Sequence, residues 1–222
     1  MRKFAEIYAI AAERKGDLDD RMRSMNFPKS LEELTAIPDD RWLSGMTRCI
    51  FNAGFNWHVV RNMWPAFEEV FGGFEIGPCS MLNDDDLGRL VTDKRIIRYG
   101  RKIRAVQENA TFINEISARH GGAGSFFGEW PAEDFVGLLK FMRNQGSRLG
   151  GNTGRYFLRK MGVDSFLLSN DVIARLVLEG VVDKTPTSQK DMAAVQSAFN
   201  IWREQSGRTL TEVSRVLAYS VG

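Results

Sequence analysis

Cysteine and histidine are scarce in this chain. Two of each occur in 222 residues: Cys49, Cys79, His58 and His120. They lie far apart, without the close pairings of a zinc site, so no metal is expected. So few cysteines fit a reducing, cytoplasmic compartment. Neither histidine accompanies a nucleophile motif, which argues against a serine or cysteine triad. No apolar run approaches the roughly 20 residues that span a bilayer. The opening MRKFAEIYAIAAERKG lacks a long apolar core, so no signal peptide is expected. There is no Gly-Lys-Ser/Thr after a strand, which argues against P-loop nucleotide hydrolysis. Convincing strand alternation, internal repeats, low-complexity tracts and clear linkers are also missing.

What is present is apolar bulk and helical periodicity. Hydrophobic residues make up 43% of the chain and aromatics 11%, with five Trp and fifteen Phe, enough both to build a core and to line a pocket. The length allows one large domain or two small ones sharing a core. RKFAEIYAIAAERKG carries helical spacing and stops at Gly16, and SLEELTAI opens on a capping box, Ser30 with Glu33. The run from Asp39 to Trp64 reads as a central helix broken near Gly54. NDDDLGRLVTD places acids in a first turn, where the helix dipole favours them. About ten short helices follow from this reading, and the fold class is all-α. The stretch HGGAGSFFGEWP at 120–131 reads as a loop, an exposed excursion between helical lobes.

Charge is nearly balanced at +2, but it is unevenly placed. Residues 94–107 hold Lys94, Arg95, Arg98, Arg101, Lys102 and Arg104 without an acid. Residues 135–163 hold Lys140, Arg143, Arg148, Arg155, Arg159 and Lys160, again without one. Two such stretches are able to form one positive face; they also suit two solvated helix faces, or, in the first, a pairing of Lys102 with an acid at 84–86. Within the second stretch lies LGGNTGRYFLRKMG at 149–162, so that 137–176 parses as helix, glycine hairpin, helix, short loop and helix. Amides exposed at such a bend, with the following helix N-terminus, hold a DNA phosphate without reading sequence. The candidates are Gly150, Gly151, Asn152, Thr153, Gly154 and Arg155. A plain tight connection between packed helices is the alternative.

This region resembles the helix-hairpin-helix base-excision DNA glycosylases. AGFNW at 53–57, PAFEEVFGGFE at 65–75, LNDDDLGRLVTDKRIIRYGRKIRAVQENATF at 82–112 and LSNDV at 168–172 together resemble bacterial DNA-3-methyladenine glycosylase I, over roughly residues 45–178. The resemblance implies a two-lobed glycosylase fold: one domain, 1–222, with its hairpin lobe centred on 137–178 and the base pocket between lobes. It implies a monofunctional enzyme that excises alkylated purines, such as 3-methyladenine, in base excision repair. The partner is double-stranded DNA with a flipped damaged base; the protein is expected to be a monomer, cytoplasmic and nucleoid-associated, with no cofactor and no membrane contact. Trp57 matches the family's pocket tryptophan, with Phe51, Phe55 and Tyr8 as neighbours.

Three departures accompany the match. Cys49 stands where the family has an acidic pocket residue, the zinc ligands have no counterparts, and the N-terminal pocket segment is a different helix. For the attack on C1′, Asp171 or Asn170 takes the superfamily's aspartate position, depending on register; either, or Ser169, also serves to cap the helix DVIARL. Arg155 stands where bifunctional members place a lysine, and a guanidinium cannot act as the amine nucleophile. The rival readings are a DNA-binding protein that has lost glycosylase chemistry and a helical interaction module.

Overall fold

The computed structural model describes residues 1–23 and 28–221. Among the described residues there is no strand, and fourteen α-helices form. In chain order they are α1 (Phe4–Lys15), α2 (Leu18–Arg23), α3 (Leu31–Thr35), α4 (Asp39–Asn52), α5 (Trp57–Val70), α6 (Ile76–Ser80) and α7 (Asp84–Leu90). After these come α8 (Gly100–His120), α9 (Ala123–Glu129), α10 (Phe135–Gln145), α11 (Asn152–Met161), α12 (Asn170–Leu178), α13 (Gln189–Ser206) and α14 (Leu210–Tyr219). The all-α class is as expected, but the helices outnumber the ten expected. The surplus is in short pieces such as α2, α6 and α9, which a helical period of 3.6 barely registers.

Two compact units share the chain. The first comprises 1–29, 130–138 and 162–222. Its aromatic core stacks Phe166 on Phe199 at 4.3 Å, with Phe135 and Trp202 edge-on. Helix α14 packs on α1, α12 and α13. Ser169, not Asn170 or Asp171, caps α12 by accepting from Val172 N. At the other end of that helix Arg175 is buried, and its guanidinium donates to Ser220 Oγ at 2.7 Å, to the Ser220 carbonyl at 2.6 Å and to Glu179 at 3.2 Å. Glu179 also accepts from the main chain and side chain of Arg2. Burial raises the Glu179 pKa, but these donors outweigh it and hold the carboxyl below its usual range.

The second unit comprises 30–129 and 139–161. The long helix α8 packs on α4, α6, α7 and α9. Trp42 stacks on Phe127 at 5.0 Å, and both meet Phe157 edge-on. The segment 120–131 is therefore not an exposed loop: residues 123–129 form α9, which buries Phe126 and Phe127. Its glycines mimic a loop signal in the sequence. A Cβ on Gly124 would meet the Leu34 carbonyl oxygen at 2.1 Å, so glycine here serves close packing of α9 on α3. The break expected near Gly54 is real, since α4 ends at Asn52 and Asn56 caps α5 by accepting from His58 N.

Candidate nucleic-acid interface

The hairpin lies in the second unit, between α10 and α11. Its foundation is Asn109 of α8, 0% exposed. The Asn109 amide accepts from Ser147 N at 2.8 Å and donates to the Ser147 carbonyl at 3.0 Å. This clamp holds the chain where Arg148 adopts φ +58°, a left-handed conformation that costs a non-glycine residue about 1–2 kcal/mol. Leu149 is buried beneath the bend. Gly151 has φ +60°. A Cβ on Gly154 would strike the Leu149 carbonyl oxygen at 2.3 Å, so the bend closes against α11 only with glycine there. Among the described residues none accepts a hydrogen bond from the amides of Gly150, Gly151, Asn152 or Thr153. Gly151 and Asn152 are exposed. Arg155 donates to Asn152 Oδ1 at 3.1 Å, and burial pushes its guanidinium pKa down.

A cavity of about 330 Å³ opens beside this bend, lined by Ile50, Ala53, Lys102, Arg148, Gly150 and Thr153. Lys102 does not sit on a solvated face or pair with the acids at 84–86. It is 4% exposed, and Asp84 is taken by Arg104 at 2.9 Å. The Lys102 ammonium donates to the Ala53 carbonyl at 2.5 Å and to the Phe51 carbonyl at 3.4 Å. It lies 4.5 Å from the Phe55 ring centroid and 5.6 Å from those of Phe51 and Tyr99. Burial, then the charge of Arg148, brings its pKa down to about 8. In the sequence Lys102 is masked by its basic neighbours. The helical period places it with Val106, Asn109 and Ile113, all buried, and that spacing was the available signal.

The expected pocket residues separate. Trp57 begins α5 and is 56% exposed, its indole stacked on the His58 ring at 3.6 Å with Arg61 at 5.3 Å. Phe55 and Tyr99 meet edge-on at 6.1 Å and are both partly exposed. Phe51 is instead packed on Phe67 in the core of the second unit at 4.7 Å. Cys49 is buried as well, and burial pushes its thiol pKa up, against the pull of Lys160 and Arg48. Tyr8 lies in α1 of the first unit, with Arg208 5.1 Å over its ring; burial and the Asp19 charge push its phenol pKa up. Asn170 and Asp171 are exposed in the first turn of α12, also in the first unit. Among the described residues no group of three His, Cys, Asp or Glu is placed to hold a metal ion, so the zinc of the resembled family finds no fitting donor set.

Residues 39–135 match the family model of methyladenine glycosylase. The chain has a DNA-glycosylase fold. The structure of 3-methyladenine DNA glycosylase I from Staphylococcus aureus aligns at a TM-score of 0.52 and 19% identity, over 69% of this chain and 89% of that one. A variant of 3-methyladenine DNA glycosylase I in complex with 3-methyladenine aligns at 0.53 and 19%, over 69% and 90%. The Methanocaldococcus jannaschii 8-oxoguanine glycosylase/lyase, in complex with 15mer DNA containing 8-oxoguanine, aligns at 0.53 and 14%, over 96% of both chains. A search of curated protein sequences gives no match. No helix among the described residues is long and apolar enough to cross a membrane.

Proposed function

We propose that this protein is a monofunctional DNA glycosylase that hydrolyses the N-glycosidic bond of alkylated purines. The family match over 39–135 and the fold both support the glycosylase class. The observation that carries the reading is the hairpin, whose four amides find no acceptor among the described residues and, with the adjoining α11 N-terminus, suit a backbone phosphate. Trp57 is exposed and free of core packing duties, as a stacking face for a flipped base must be. A 3-methylated adenine is cationic and a good leaving group, and an indole face attracts it. Water adds to C1′ and loses a proton, the C1′–N9 bond breaks, and its electron pair neutralises the departing purine. The products are the free base and an abasic strand. Asp171, or Asn170, orients that water or stabilises the oxocarbenium-like sugar. Ser169 already caps α12, so neither side chain is needed for capping. Arg155, always charged, forms no imine, so the strand stays intact. The protein acts as a monomer on double-stranded DNA in the nucleoid-bearing cytoplasm.

Single-turnover base release from methylated duplex separates the two candidates. Substitution Asp171→Asn lowers the rate at least a hundredfold if Asp171 acts on C1′, with Asn170→Ala near wild type; the reverse pattern assigns Asn170. Unchanged rates in both variants, or strand cleavage without alkali, would refute the mechanism.

A further inference from the structure

We infer that the cavity beside the hairpin is a phosphate subsite, with Lys102 and Arg148 as the cations that hold a DNA backbone phosphate. The inference rests on the proposed DNA-binding function. Lys102 is buried, lines the cavity and has two carbonyl partners for its three N–H donors. Among the described residues no carboxylate pairs with Lys102 or Arg148. Burying an ammonium without a counter-ion is costly, and stability alone would favour an apolar side chain in this aromatic surround. Arg148 reaches the same cavity from a left-handed backbone position that the Asn109 clamp enforces. Strain and uncompensated charge meeting at one cavity indicate a ligand supplied from outside.

That ligand is an anion. Two cations repel a cationic 3-methyladenine, so the cavity does not suit the base itself. A phosphodiester takes both charges, and Gly150 and Thr153 line the same space. The groups facing the ammonium are Arg148 from the hairpin, the Tyr99 phenol before α8, and the carbonyls of Phe51 and Ala53 from α4. Binding an anion among them raises the Lys102 pKa from about 8, so binding takes up a proton above that pH.

The test uses the full chain and a duplex carrying a tetrahydrofuran abasic analogue, with affinity measured by fluorescence anisotropy against salt. Lys102→Met and Arg148→Asn are each expected to lower the slope of log affinity against log salt by about one. Asn tolerates the left-handed backbone, so the second variant keeps the bend. Wild-type affinity is expected to hold below pH 8 and fall above it, and Lys102→Met to lose that dependence. Free Lys102→Met is expected to melt at a higher temperature than wild type, which a merely structural ammonium would not allow. Slopes unchanged in both variants, or a lower melting temperature for Lys102→Met, would overturn the subsite while leaving the glycosylase reading intact. A wild-type protein that does not hold the duplex overturns both.

Discussion

Replacing Asn109 by alanine removes the clamp under the hairpin without touching any exposed residue. The buried amide makes two hydrogen bonds to Ser147, at 2.8 and 3.0 Å. Truncation leaves one main-chain N–H and one carbonyl without these partners, at about 1–3 kcal/mol each when water cannot reach them. Ser147 is half-buried, so water recovers part of that, and a net loss of about 2–3 kcal/mol is expected. For a chain of this length the melting temperature falls by about 5–10 °C. With the clamp gone, Arg148 relaxes from φ +58° and the amides beyond it lose their alignment. DNA affinity should then drop more than tenfold. Asn109→Asp keeps the acceptor for Ser147 N but sets an oxygen against the Ser147 carbonyl, and should do at least as much damage. Urea unfolding and anisotropy on abasic-analogue duplex supply the two readouts. Variants within about 0.5 kcal/mol of wild type, binding DNA normally, would refute the hairpin argument.

Two further outcomes follow from the same structure. Trp57→Ala, at a residue 56% exposed, should leave stability within about 0.5 kcal/mol, yet slow single-turnover release about 5- to 100-fold through lost base stacking; Trp57→Phe should recover much of it. Equal rates for all three proteins would remove Trp57 from the site. Glu179 has a folded pKa below its ordinary 4.5, so its contribution to stability is present above pH 4.5 and is lost as pH falls through the folded value. Urea midpoints measured from pH 6 down to pH 3 should fall less steeply in Glu179→Gln than in wild type, and parallel curves would contradict the network drawn around Arg175.

Much of this was legible in the sequence. The capping box at Ser30, the stop at Gly16, the acid-led start of α7 and the break near Gly54 are local signals, and local backbone chemistry enforced them. The hairpin was legible because φ +60° at Gly151 and the contact at Gly154 both demand glycine. Gly124 is a glycine for a different cause, packing against Leu34, so α9 resembles a loop in the sequence. Lys102 was hidden by its charged neighbours, although its helical phase with Val106 and Asn109 gave its burial away. Phe51 and Cys49 entered the pocket by position relative to Trp57. Their side chains are buried instead, because α4 packs on both α8 and α11. The left-handed Arg148 had no sequence signal, since its conformation is imposed by a residue thirty-nine positions earlier, Asn109.

The most direct test of glycosylase function is chromatography of what the wild-type protein releases from dimethyl-sulfate-treated duplex DNA. Free 3-methyladenine should appear, and the strand should break only after alkali. Tight DNA binding with no base released would contradict the enzyme reading and leave a protein that grips DNA without cutting the glycosidic bond.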